Sequence, residues 1–164
     1  MEVRIATIEE IEKWWDKKIA KAPTDFAYKT WKDIFVTGNK IEERKTFFAF
    51  DEGKYVGQGT LLLESDDEVL AGNGRAEIIK LEILPKYRGK GIAGVIYREI
   101  EKYAKSHKIK MLTIGVEPCE VRNMQIYFHW GFVNFLQCIT ETYPPKVEGE
   151  KGETITVLCY SKKI

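Results

Sequence analysis

The chain has 164 residues, of which 26 are basic and 25 acidic, giving a formal net charge of +1 at pH 7. That length suits one domain with a substantial core, and the near balance of charge excludes a broad polybasic surface for nucleic acid or anionic lipid. No apolar run approaches the roughly 20 residues of a membrane span, and no signal-peptide core follows Met1-Glu2-Val3-Arg4, so a cytoplasmic protein is expected.

Residues 3–6 read as a first strand. Thr7, followed by Glu9 and Glu10, marks a helix start with acid where the macrodipole favours it. Ile8, Ile11, Trp14, Trp15, Ile19 and Ala20 share one apolar stripe, and Pro23 ends the helix. A second helix is expected over residues 25–36, with Phe26, Trp31, Ile34 and Phe35 inside. Two β-rich runs, 46–50 and 54–63, are joined by Asp51-Glu52-Gly53 and should pair as an antiparallel hairpin. The stretch 64–75, with Ser65-Asp66-Asp67-Glu68 and Gly72-Asn73-Gly74, reads as an exposed loop or a wide hairpin connection.

A strand over 76–84 then runs through a glycine-rich basic turn into a helix over 91–105, where Ile92, Val95, Ile96, Ile100 and Tyr103 fall at helical spacing. With the strand at 111–116 this forms a right-handed crossover whose strands are parallel. A short helix carrying Tyr127 follows, and strands over 132–139 and 154–160 close an antiparallel edge. Nothing in composition interrupts this order, so residues 1–164 are expected to form a single mixed α/β domain.

Cys119, Cys138 and Cys159 are odd in number and widely spaced, without a nearby His cluster, so neither a disulfide framework nor a metal site is indicated. His107, at a helix end, and His129, within an aromatic helix, read as structural.

The chemistry concentrates at Ile83-Leu84-Pro85-Lys86-Tyr87-Arg88-Gly89-Lys90-Gly91-Ile92-Ala93. At a strand-to-helix junction the first helical amides lack intrahelical partners and point outward, where the macrodipole also favours negative charge. Gly89 and Gly91 allow backbone conformations and close approaches that a Cβ would block. Gly94 supplies a third glycine, but no acid follows at the next strand end, where Lys110 and Met111 stand, so the dinucleotide fingerprint fails. The Lys-Ser/Thr pair of a Walker loop is also absent. The residues therefore describe a phosphate anchor with an extended arm along the preceding strand.

The segment Arg88-Gly89-Lys90-Gly91-Ile92-Ala93 resembles motif A of the GNAT superfamily of N-acetyltransferases, Arg/Gln-x-x-Gly-x-Gly/Ala. The order of elements over residues 76–132 matches as well, and Tyr127 stands four residues before Gly131-Phe132, as a tyrosine does in that family. The resemblance implies a three-layer α/β fold, a mixed, mostly antiparallel twisted sheet with a parallel strand pair at the cofactor site and flanking helices. It implies acetyl-CoA as cosubstrate, with main-chain groups near Ile83 and Leu84 pairing with the pantetheine arm and the amides of residues 88–93 taking the pyrophosphate. Arg88 and Lys90 add charge there, with solvated loop cations as the bland alternative. It also implies that the first helical pair borders the acceptor site, which makes Trp31 and Tyr28 candidates for its lining.

Transfer to an amine needs a neutral nitrogen, stabilisation of the charge that develops on the thioester oxygen, and a proton for the departing thiolate. By resemblance Tyr127 supplies that proton, and the amide near Ile83 faces the developing charge. Glu77 and Glu82 are the carboxylates of the motif strand, and Glu77 matches a position where several members carry a glutamate proposed as base. Simple alternation puts the two on opposite faces unless a bulge intervenes. A structural Glu77, paired with Arg75 or Lys80, is the competing expectation. The family often has Asn seven residues before the motif tyrosine, but Glu120 stands there, so Glu120 should turn away or cap the next helix, and Asn123 is the displaced candidate for a cofactor contact. Gly115, inside an apolar strand, reads either as close approach to ligand or as a packing need.

The expected reaction is acetyl transfer from acetyl-CoA to a primary amine of a small molecule or peptide. The rival is a non-catalytic acetyl-CoA sensor or partner-binding module. Nucleic acid, membrane and metal are not expected, and the resemblance leaves a homodimer through the last strands open.

Overall fold

The computed structural model describes residues 1–164. Chain entry is fixed at once: β1 (Glu2–Ile5) leads into α1 (Ile8–Lys21) through a capping box, the Thr7 hydroxyl accepting from the Glu10 amide and the Glu10 carboxylate accepting from the Thr7 amide. Arg4 donates to both oxygens of that same carboxylate at 2.8 and 2.6 Å. This fork holds the Glu10 pKa down to about 2.

Helix α2 (Phe26–Lys40) starts at Asp25, whose side chain accepts from the Ala27 amide. It runs four residues past the expected end because Thr37, Gly38 and Asn39, poor helix formers, are held by tertiary contacts. Buried Asn39 donates to Phe35 O and Thr46 Oγ1 and accepts from the Thr46 amide. A Cβ on Gly38 would lie 2.8 Å from Cδ of Arg44, so only glycine lets that side chain cross the helix.

The remaining elements are β2 (Arg44–Asp51), β3 (Lys54–Leu62), β4 (Arg75–Ile83), a 3₁₀ turn (Pro85–Tyr87), α3 (Ile92–Ser106), β5 (Met111–Val116), α4 (Val121–His129), β6 (Asn134–Thr142) and β7 (Thr154–Lys163). They form one seven-stranded sheet in the order β1-β2-β3-β4-β5-β7-β6. Only β4 and β5 are parallel. The expected β6 began at 132, but Gly131 turns at φ 95° and delivers Phe132 into the core with no exposed surface, so pairing starts at Asn134.

Period-two alternation sorts side chains into two layers. Phe47 and Ala49 of β2, Ala76 and Ile78 of β4, and Leu112 and Ile114 of β5 pack under α3 with Ile92, Ile96 and Ile100. Full burial of side chains such as Ile96 and Ile100 stabilises by about 1.5–3 kcal/mol each. Phe48, with Phe50 beside it, faces the other way, against Trp15, Phe35 and Val36 of α1 and α2.

Candidate active site

The parallel pairing of β4 with β5 runs from Arg75↔Met111 to Ile78↔Ile114 and stops, although both strands continue. Beyond it β4 stays on β3 and β5 stays on β7. The two strands therefore part, leaving a gap with a backbone edge on each side.

A bulge accompanies the parting. Thr60 faces Ile79 and Gln58 faces Glu82, so Lys80 and Leu81 together oppose the single Gly59. Lys80 adopts φ 52°. The extra residue resets alternation: Glu77 and Ile79 face α1 and α2, Leu81 and Ile83 face α3, and Glu82 returns to the α1 side, where it meets Lys18 of α1 at 3.0 Å. Glu77 and Glu82 thus share a face, where uninterrupted alternation separates them.

Their environments differ. Glu82 is engaged by Lys18. Glu77 is 6% exposed and has no hydrogen-bond or ion-pair partner, neither Arg75 nor Lys80 reaching it. Burial, reinforced by Glu141 and Asp67, pushes its pKa up to about 8. Its Oε1 lies 3.6 Å from the point a Cβ on Gly115 would occupy, and that Cβ would also lie 2.7 Å from Cγ1 of Val157. Gly115 is thus a packing requirement that also leaves the carboxyl room at the root of the gap.

At the far end of β4 the Leu84 amide donates to Val56 O at 2.9 Å. Alternation then turns the Ile83 amide and carbonyl toward the gap, and Arg88 Nε donates to that carbonyl at 3.1 Å. Gly89 and Gly91 lie at φ 76° and 75°, with nothing within 4 Å of a Cβ built on either. Gly91 is the left-handed N-cap of α3, and the first helical bond is Val95 N to Gly91 O, so the amides of Ile92, Ala93 and Gly94 have no intrahelical acceptor. Arg88 and Lys90 are exposed, the Lys90 ammonium lying 5.4 Å from the Tyr87 ring centre. An open, amide-lined concavity with cations at its rim suits a pyrophosphate, and the unpaired β4 edge suits an extended arm bearing amides.

Tyr127 lies on the opposite side of the sheet from Glu77, packed against the α3 core and 5.9 Å between ring centres from Trp130, itself stacked on Tyr97. Its hydroxyl makes no hydrogen bond. Burial, then Glu120, pushes its pKa up to about 12, so it stays a donor across the physiological range. Glu120 is the N-cap of α4 by position but makes no side-chain cap; it accepts from Asn123 Nδ2 at 3.0 Å instead. The Asn123 amide is therefore turned back along its own helix.

On the α1–α2 face the wall is aromatic, and it includes both residues that the resemblance marks as candidates, Trp31 and Tyr28. Trp31 meets Tyr143 edge-on at 5.9 Å, joining α2 to the segment after β6. The Lys80 ammonium lies 5.6 and 5.9 Å from the ring centres of Trp15 and Trp31, and burial lowers its pKa. Tyr28 packs beside Trp15 at 6.3 Å. Glu141 comes from β6. No group of three or more His, Cys, Asp or Glu is placed to hold a metal ion, and no helix is long and apolar enough to cross a membrane. A surface hollow lined by Leu63, Asn73, Arg75, Tyr103 and His107 lies at the other end of β4, away from the glycine turn.

Residues 8–132 match the acetyltransferase (GNAT) family. No curated protein matches the sequence. Among solved structures, the ribosomal-protein-alanine N-acetyltransferase of Brucella melitensis is similar over 100% of both chains at 17% identity, with a TM-score of 0.67. An N-acetyltransferase of Staphylococcus aureus Mu50 aligns with 99% of this chain and 97% of its own at 14% identity, TM-score 0.70. A Bacillus subtilis acetyltransferase in complex with CoA aligns with 79% of this chain and 82% of its own at 13% identity, TM-score 0.58.

Proposed function

The chain belongs to the acetyltransferase (GNAT) family and is by that membership an acetyl-CoA-dependent N-acetyltransferase, and from this premise we propose that it acetylates a primary amine of a small molecule or peptide by direct attack, with Glu77 as base and Tyr127 as acid. The observation that carries this reading is the buried, unpartnered Glu77 carboxyl at the root of the β4–β5 gap.

The gap has two sides with separate tasks. On the α1–α2 side, Glu77 receives the proton of the incoming ammonium. An alkyl ammonium has a pKa of about 10.4, and a carboxyl tuned to about 8 is a far better acceptor for its proton than an ordinary one. At the strand edge, the Ile83 amide is directed toward charge developing on the acyl oxygen. On the α3–α4 side, the Tyr127 hydroxyl, free of competing partners, donates to the departing sulfur. The amides of Ile92, Ala93 and Gly94, with Arg88 and Lys90, would hold the pyrophosphate, and acetyl-CoA supplies the activated acyl group. Glu82 keeps its bond to Lys18 and shapes the acceptor wall. The balanced charge and three free thiols support a cytoplasmic setting.

Thiol release from acetyl-CoA, measured across polyamines, amino acids and N-terminal peptides, tests the reaction: amine-dependent release is expected. Tyr127→Phe should lower kcat by about a hundredfold or more, with CoA affinity from calorimetry nearly unchanged. Unchanged kcat removes Tyr127 from catalysis, and CoA binding without release from any amine refutes the transferase reading.

A further inference from the structure

We infer that the acceptor is an amino acid, an amine carrying its own carboxylate, and that Lys80 on β4 receives this carboxylate while Glu77 meets the nitrogen. This deepens the reading above and rests on Glu77 being the carboxyl that faces the amine.

The bulge puts both groups on one face of one strand. Alternation from Ile79, which faces α1 and α2, would send residue 80 to the α3 side. At φ 52° the chain turns instead, and the Lys80 ammonium lies 5.6 Å from the ring centre of Trp15 on α1 and 5.9 Å from that of Trp31 on α2. Glycine or asparagine would take that left-handed conformation at lower cost; what lysine adds is the ammonium. Glu77 precedes it on the same strand, at most about 10 Å away along the backbone, and the two flank Ile78, where pairing with β5 ends. An acceptor in this part of the gap therefore has a carboxyl at one end and an ammonium at the other.

The ammonium has no acid of its own. The carboxylates around it are taken: Glu82 by Lys18 at 3.0 Å, Asp16 of α1 by Lys32 of α2 at 2.6 Å, and Asp25 by the Ala27 amide. The Lys18–Glu82 pair is neutral as a unit, which leaves Lys80 as the unmatched charge on this wall. Lys80 is exposed as a residue, yet its ammonium sits beside the Trp15 ring, which is 2% exposed. An accessible side chain thus carries its charge inward. Both ring distances lie near the outer limit of about 6 Å for such contacts, and the rings leave the N–H donors of the ammonium for a carboxylate or water. A plain alkylamine bound here would cover the ammonium without pairing it, and a diamine would set a second positive charge against it. A carboxylate on the acceptor answers it.

The test measures thiol release with glycine, β-alanine and 4-aminobutyrate, each beside its own amide, and with 1,4-diaminobutane and an N-terminal peptide lacking acidic side chains. The proteins compared are the wild type, Lys80→Gln, Lys80→Arg and, as a remote control on α3, Lys102→Gln. Acid and amide differ in amine basicity, so the quantity read is the change in their kcat/KM ratio from one protein to another. In the wild type the best of the amino acids is expected to exceed the diamine and the peptide. Lys80→Gln should raise the KM for that amino acid about tenfold with kcat nearly retained, and lower the acid-to-amide ratio by the same factor. Lys80→Arg, which keeps the charge, should recover most of the ratio, and Lys102→Gln should behave as wild type. A ratio unaltered in Lys80→Gln, or better use of the diamine or the peptide than of every amino acid, overturns this inference and leaves acetyl transfer standing. No thiol release with any amine overturns the transferase reading and this inference with it.

Discussion

Replacement of Glu77 by Gln removes an ionisation that the fold resists, and the cost of that ionisation depends on pH in a calculable way. The carboxyl titrates near its ordinary 4.5 when the chain is unfolded and near about 8 when folded. Between those values the folded state holds a proton the unfolded state has lost, so wild-type stability falls as pH rises through the window and levels off above it. Linkage gives a penalty of about 1 kcal/mol at pH 5, about 3 at pH 7 and about 5 at pH 9. Glu77→Gln carries no such penalty, so its stability relative to wild type should improve by about 4 kcal/mol between pH 5 and pH 9. For a chain of this length that is about 8–16 °C in relative Tm. Urea denaturation of both proteins at pH 5, 7 and 9 measures it. The same substitution should lower kcat about a hundredfold and remove the rise of wild-type kcat/KM through pH 8. A stability difference that stays constant with pH would refute the burial argument, and with it the assignment of Glu77 as a base tuned by desolvation.

Three other perturbations probe the supports of the site. Gly91→Ala forces a side chain into the left-handed N-cap of α3 and should cost about 1–2 kcal/mol of stability while weakening CoA binding by calorimetry; intact affinity would detach the cradle from its assigned ligand. Gly115→Ala meets Val157 at 2.7 Å and should destabilise by about 1–3 kcal/mol, with partial recovery in the double variant Gly115→Ala/Val157→Ala; no recovery would point to another clash. Glu10→Gln loses the Arg4 fork: because the folded carboxyl is depressed to about 2, its contribution is present above pH 4.5 and lost as pH falls toward 2. The pair is partly exposed, so the loss at pH 7 should be about 1 kcal/mol after solvent screening. An equal loss at pH 2 would contradict the ion-pair account.

Much of this arrangement is legible where local rules and tertiary structure agree. The Thr7 cap, the Asp51-Glu52-Gly53 hairpin, the crossover and the positive-φ glycines at 89 and 91 each follow from short-range stereochemistry, which the fold leaves undisturbed. Asn39 shows the opposite case. Its type argues against a helix interior, yet three buried hydrogen bonds to Phe35 and Thr46 extend α2 through it, and those partners are set by the packing of α2 on β2.

The bulge at Lys80 is the deepest instance, because it decides which carboxylate is paired. Lysine has no special tolerance for φ 52°, so nothing at that position signals the extra residue. Across the sheet stands Gly59, where a Cβ would come within 2.9 Å of Ile96 and 3.0 Å of Ile100. With no side chain there, α3 settles close onto the sheet, and the opposing strand supplies two residues, Lys80 and Leu81, where β3 supplies one. The added residue turns Glu82 to the α1 face, where Lys18 neutralises it, and coincides with the end of β4–β5 pairing at Ile78. Glu77, one residue before that end, keeps a carboxyl at the gap with no partner. The bulge thus decides where Glu82 points, while Glu77, which precedes it, keeps the face that plain alternation gives it.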